Sequence, residues 1–120
     1  METNIRNKCK AYTSLEQSKK LAEILPIESA DMYWWHNGQK YYVETKEHND
    51  FQRLDIPAWS LTALLNLCPT INEKQPILTR GKLTRLWYCY YEDEMDTQTY
   101  DNPVDAVFEL ILLLHEQKLL

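Results

Sequence analysis

The side chains in this 120-residue sequence that could do more than pack are three histidines, three cysteines, four serines and a run of carboxylates. His36, His48 and His115 share no i, i+4 spacing with one another and lie in no Cys/His cluster, so the ligand pairs that hold a transition metal are missing. His36 follows Trp34 and Trp35 just ahead of a turn, and His115 near the end of the last helix suits the negative end of its dipole. Glu92, Asp93, Glu94 and Asp96 are the oxygen ligands a hard cation would want, but the ordering glycine and the spacing of an EF-hand loop are absent. A charged hairpin tip that keeps a sheet edge from pairing with other chains accounts for them. Ser14, Ser18, Ser29 and Ser60 lack the G-x-S-x-G elbow of a nucleophile, and two glycines in the whole chain leave no phosphate cradle. A small hydrolase or nuclease would have to draw on Asp93, Asp96 or His36, and nothing in their spacing supports one. The expectation is a non-enzymatic protein without cofactor or metal.

Aromatic side chains are the unusual supply. Eight Tyr, four Trp and two Phe make 12% of the chain, and Tyr33, Trp34, Trp35, Tyr41, Tyr42, Trp87, Tyr88, Tyr90 and Tyr91 fall in segments that read as strands. Strand side chains alternate, so both sheet faces receive rings. Trp87, Cys89 and Tyr91 should meet the helices, leaving Leu86, Tyr88 and Tyr90 on the other face, or the reverse. Exposed Tyr and Trp anchor protein contacts because they bury much area at small entropic cost. The candidate partner surface is therefore Trp35, Tyr42, Tyr88 and Tyr90, with Leu113 and Leu120 on the helix side, and the partner is another protein or a second copy. The alternative is single-stranded nucleic acid stacked on the aromatic face beside Arg80, Lys82 and Arg85. A formal charge of −5 and the lack of an RNP-like motif weigh against it.

The elements that must position these rings follow from periodicity. Residues 1–11 are polar and aperiodic and read as a flexible N-terminal arm, followed by a single α+β domain over 12–120. Thr13 and Glu16 make a T-x-x-E capping box, and Leu15, Leu21, Ala22 and Leu25 share a face ahead of Pro26, which predicts a helix over 14–25. Asn37-Gly38 joins strands over 31–36 and 40–45. Residues 46–55 read as a solvated connection. Pro57 opens a second helix with Leu61, Leu64, Leu65 and Cys68 on one side, closed by Pro69. Strands over 77–80 and 82–91 flank Gly81, and 95–100 can return as another strand after the polar turn. Asp101 or Asn102 caps a last helix with Pro103 in its first turn and more apolar surface than one stripe. The order is α-β-β-α-β-β-(β)-α, an antiparallel sheet of four to five strands with three helices mainly on one face.

Cys9, Cys68 and Cys89 are odd in number with no CxxC spacing, and the last two sit among apolar residues as small core hydrophobes. The N-terminus has no apolar signal region, and the run from Val104 to Leu114 is broken by Asp105 and Glu109 and far short of the roughly 20 residues that cross a bilayer. A cytoplasmic protein with no membrane contact is expected. Three segments together, 14–21 with Ile24-Leu25-Pro26, 56–61 with Leu64-Leu65, and 101–106, resemble a family of small uncharacterised proteins carried on prophages and other mobile elements of gut bacteria. The resemblance spans most of the chain after residue 11 and implies a bacterial or phage cytoplasm and an accessory role in propagation of the element. It implies no functional residue.

Overall fold

The computed structural model describes residues 10–46 and 55–120. Among the described residues three α-helices and six strands follow one another: α1 (Leu15–Ala22), β1 (Met32–His36), β2 (Tyr41–Thr45), β3 (Ile56–Ala58), α2 (Leu61–Leu67), β4 (Ile77–Arg80), β5 (Trp87–Tyr91), β6 (Met95–Asp96) and α3 (Pro103–Glu116). The α+β class is as expected, but the strands make two three-stranded antiparallel sheets rather than one, ordered β2-β1-β3 and β4-β5-β6.

The sixth strand comes from Pro57, which does not open a helix. Ile56, Pro57 and Ala58 pair with Trp34, Tyr33 and Met32 of β1. Pro57 has no N–H to give a neighbour, and β3 is an edge strand, the place in a sheet that tolerates this. The helix begins four residues later, where the Ser60 hydroxyl accepts from Ala63 N–H (3.2 Å) and donates to Asp31 Oδ2 (2.5 Å).

The start of α1 also lies one residue beyond the sequence expectation. Ser14 is the cap: its hydroxyl accepts from Gln17 N–H at 3.1 Å, and Gln17 Oε1 accepts from Ser14 N–H at 3.0 Å. Thr13 is thereby free for the interior, where its hydroxyl shares a 2.7 Å hydrogen bond with that of Ser18 and accepts from Trp59 N–H at 3.1 Å. Lys10 and Ala11, assigned to the arm, are held: Lys10 pairs with Asp105 at 2.7 Å, and the Ala11 carbonyl accepts from Leu61 N–H at 3.2 Å. The rest of the arm and most of the 46–55 connection, with Cys9 and His48, lie outside the described residues.

One buried cluster joins the helices to the second sheet: Leu21 and Leu25 near α1, Leu64 of α2, Val104, Val107, Leu110, Ile111 and Leu114 of α3, and Cys89 and Tyr91 of β5. Trp59, wholly buried between β3 and α2, is the largest side chain in it, and its indole N–H donates to Ser29 Oγ at 3.0 Å. By burial area a side chain of this kind contributes about 3 kcal/mol or more. The first sheet is fastened to α1 by Trp34, whose indole N–H reaches Ser18 Oγ (3.2 Å) and the Thr13 carbonyl (3.3 Å).

Between β6 and Tyr100 the second sheet slips by one residue. Tyr91 pairs with Met95 and Tyr90 with Asp96, but Trp87 bridges Tyr100. This is a bulge at Thr97-Gln98. Its freed donors are taken up locally: Thr97 Oγ1 accepts from Cys89 N–H at 3.0 Å, and Glu109 of α3 accepts from Gln98 N–H at 3.0 Å and from the Tyr100 hydroxyl at 2.7 Å. The expected strand over 95–100 is therefore two residues followed by a bulged return. The expected strand over 82–91 begins only at Trp87, because residues 81–86 form a tight turn with Arg85 at φ 61°.

Candidate functional site

The rings expected to form one platform are divided between two sheets. On the first, β1 and β2 pair Trp35 with Tyr42 and His36 with Tyr41. Alternation puts Tyr33, Trp35 and Tyr42 on one face and Trp34 with Tyr41 on the other. Trp34 turns to α1 and Tyr33 is buried, so neither adds to an outer surface. Trp35 is half-buried and stacks on Tyr42 with ring centroids 5.2 Å apart. Its Nε1 is buried with no hydrogen-bond partner among the described residues. Tyr42 is 37% exposed, with Lys40 Nζ 5.1 Å from its ring centre.

On the second sheet Trp87, Cys89 and Tyr91 turn inward against α3, the first of the two arrangements the alternation allowed. Tyr88 and Tyr90 project from the opposite face, half-buried and stacked with centroids 5.7 Å apart at 23°. The register gives them company there: Ile77 and Asp96 lie across from Tyr90, and Thr79 lies across from Tyr88. Ile77 is 39% exposed. Beside the tyrosines is an open groove of about 490 Å³ bounded by Asp93, Glu94, Met95 and Asp96.

Charge is polarised along this sheet. At one end Arg80, Lys82 and Arg85 surround the turn between β4 and β5, at whose tip Leu83 is 95% exposed. At the other, Lys74 meets Asp93 at 3.9 Å and Glu94 at 3.8 Å, and its ammonium donates to the Glu92 carbonyl at 2.8 Å. The acidic end thus has a single lysine among Glu73, Glu92, Asp93, Glu94 and Asp96.

Of the helix-side candidates, Leu113 is half-buried on α3 and Leu120 is 36% exposed beyond its end. Most of the apolar surplus of α3 is absorbed instead: Leu110 is fully buried and Leu112 packs against the core. Sequence reasoning did not single out Ile77 and Leu83 as surface residues; the Gly81 turn next to a strand of period two was the available signal for both.

The nucleophilic side chains are in the wrong state for attack. Burial pushes the Cys68 thiol up to about 11 and Cys89 to about 12, so both stay protonated at neutral pH. Burial, with Cys68 and Cys89 nearby, also raises Tyr91, whose hydroxyl donates to the Pro69 carbonyl at 2.7 Å. Tyr100 rises to about 12 through burial and its bond to Glu109. His36 is exposed at the β1–β2 hairpin tip, where Nδ1 accepts from Gly38 N–H at 3.1 Å. No hydrogen bond or ion pair links it to Asp93 or Asp96. Among the described residues no three His, Cys, Asp or Glu side chains are grouped to hold a metal ion, and no helix is long and apolar enough to cross a membrane.

No family model, no curated protein and no solved structure matches this chain.

Proposed function

We propose that the chain is a non-enzymatic protein that works through protein contacts, and that the contact surface is the outer face of the β4-β5-β6 sheet. The observation that carries this reading is the stacked Tyr88–Tyr90 pair beside the exposed Ile77, on the face turned away from α3. Rigid rings held by cross-strand neighbours lose little conformational freedom when a partner covers them. The reading concentrates the surface on Tyr88 and Tyr90; Trp35 and Tyr42 form a smaller site on another sheet, and Leu113 and Leu120 lie at the far end of α3. The resemblance to mobile-element proteins makes an element-encoded or host protein the natural class of partner in a bacterial cytoplasm.

The carboxylates of Asp93, Glu94 and Asp96 border the same groove, which disfavours a phosphate backbone over the tyrosines. Arg80, Lys82 and Arg85 at the basic end keep single-stranded nucleic acid as the second reading. Both are tested with immobilised wild type and a Tyr88→Ser/Tyr90→Ser variant. The contact reading expects bound protein, from lysate or from added copies of the chain, on the wild type and its loss on the variant. Equal recovery on both overturns it. Salt-dependent quenching of Trp fluorescence by an oligo-dT strand, absent in the variant, would replace it with the second reading.

A further inference from the structure

The edge of β4 turned away from β5 has a determined hydrogen-bonding phase. Gly81 N–H donates to the Leu86 carbonyl at 2.7 Å, which makes Gly81 and Leu86 a bonded pair at the mouth of the hairpin. In an antiparallel ladder bonded pairs recur at every second residue. The register then makes Thr79–Tyr88 and Ile77–Tyr90 the bonded pairs. The other side of β5 agrees, since Cys89 and Trp87 exchange their bonds with Thr97 and Tyr100. The N–H and C=O of Leu78 and Arg80 consequently point away from β5, and no described group takes them up.

Edges of this kind are usually blunted by an inward charge, a proline or a bulge. Here β3 has Pro57, and β6 is two residues long and ends in the Thr97-Gln98 bulge. β4 follows Pro76, whose missing N–H ends the bonding edge ahead of Ile77, but its own sequence, Ile-Leu-Thr-Arg, has no proline or bulge and carries no charge before Arg80.

We propose that β4 pairs antiparallel with β4 of a second copy of this chain, turning two three-stranded sheets into one of six strands. This rests on the contact reading above and adds the edge of the same sheet to the contact surface. Of the registers this phase permits, one uses every edge group: Leu78 of each copy exchanges both bonds with Arg80 of the other, and Thr79 faces Thr79 on the two-fold axis. Four new hydrogen bonds form, and every edge donor and acceptor of Leu78 and Arg80 is used.

Charge complementarity argues for a second copy and for the antiparallel direction. Arg80, Lys82 and Arg85 sit at one end of the β4–β5 hairpin, and Glu73, Glu92, Asp93, Glu94 and Asp96 at the other. Antiparallel pairing brings opposite ends together twice; parallel pairing would set like against like. A two-fold contact of this type closes on itself and does not propagate. Tyr88, Tyr90 and Ile77 of both copies then share one continuous outer face. Pairing over four residues buries less than a standard interface, so the association is weak.

The test is sedimentation equilibrium of the full chain from about 10 μM to 1 mM, with amide hydrogen exchange at both limits. Wild type should dimerise, and the Leu78 and Arg80 amides should gain protection with concentration. Arg80→Glu/Lys82→Glu/Arg85→Glu, acidic at both ends, should weaken self-association roughly 100-fold, as should Glu92→Lys/Asp93→Lys/Glu94→Lys, basic at both ends. An equimolar mixture of the two should recover a dimer, provided each alone retains the wild-type circular dichroism. A monomer at every concentration, or a mixture that stays monomeric, overturns the pairing. If Tyr88→Ser/Tyr90→Ser abolishes association while the charge variants and the two amides are indifferent, edge pairing falls and the contact face stands. If the tyrosine variant still captures whatever the wild type captures, the contact reading falls by itself.

Discussion

Replacing Thr97 with Val probes the feature that terminates the second sheet and sets the aim of its outer face. The hydroxyl of Thr97 accepts from the N–H of Cys89, a fully buried residue, at 3.0 Å, and donates to the Gln98 carbonyl at 2.7 Å. Valine has nearly the same volume, so no cavity forms and the packing term is small. What is lost is an acceptor for a donor already removed from water, a loss that costs about 1–3 kcal/mol. With a urea slope of about 2 kcal/mol/M, the unfolding midpoint should fall by about 0.5–1.5 M. Thr97→Ser retains the hydroxyl and gives up one methyl group, so it should lose about 1 kcal/mol or less. Equilibrium urea unfolding followed by far-UV circular dichroism reads both. A Val variant within about 0.5 kcal/mol of wild type, or a Ser variant as damaged as the Val variant, would refute the assignment of that hydroxyl as the ladder's stand-in carbonyl.

Three further outcomes follow from the same contacts. Burial raises the Asp105 carboxyl, but hydrogen bonds from Lys10, Gln17 and Asn102 and the Lys10 charge outweigh it and hold the group below its ordinary range. The stabilisation from this shift is therefore fully present above the unfolded carboxyl's pKa of about 4 and fades as pH falls through the lower folded value. Asp105→Asn should flatten the pH dependence of the urea midpoint in that acid window while lowering the midpoint at pH 7. In a Cys9→Ser/Cys68→Ser background, buried and protonated Cys89 should react with a thiol reagent only as fast as the protein opens, and labelling at the rate of a free thiol would contradict its placement. Trp59→Ala should cost about 3–5 kcal/mol by thermal or urea unfolding, and a loss under 2 kcal/mol would show the indole is not buried as described.

Local chemistry made much of the fold legible. The Asn37-Gly38 hairpin and the start of the last helix at Pro103 follow from short-range rules, whereas alternation grouped Trp87, Cys89 and Tyr91 without saying which set faces inward, and the cap was open between Asp101 and Asn102. The cap of α1 was ambiguous in principle: Thr13/Glu16 and Ser14/Gln17 both satisfy the box, and only the tertiary demand of Trp59 N–H for the Thr13 hydroxyl separates them. Pro57 misled for a similar reason. It suits the first turn of a helix and an edge strand equally, and the pairing that decides is with β1, more than twenty residues away in sequence. The division into two sheets has no local signature at all. Of the surface, Tyr88 and Tyr90 could be placed by alternation once the inward set was chosen. Trp35, Tyr42, Leu113 and Leu120 could not be graded, because their exposure depends on what packs beside them.

Sedimentation equilibrium of the wild-type chain, loaded from about 10 μM to 1 mM in low salt, tests the pairing of the β4 edge most directly. A weight-average mass that climbs from 14.3 kDa toward twice that value, and that stays at the monomer for the reversed basic end, is the expected result. A single 14.3 kDa species at every loading would contradict self-pairing at β4.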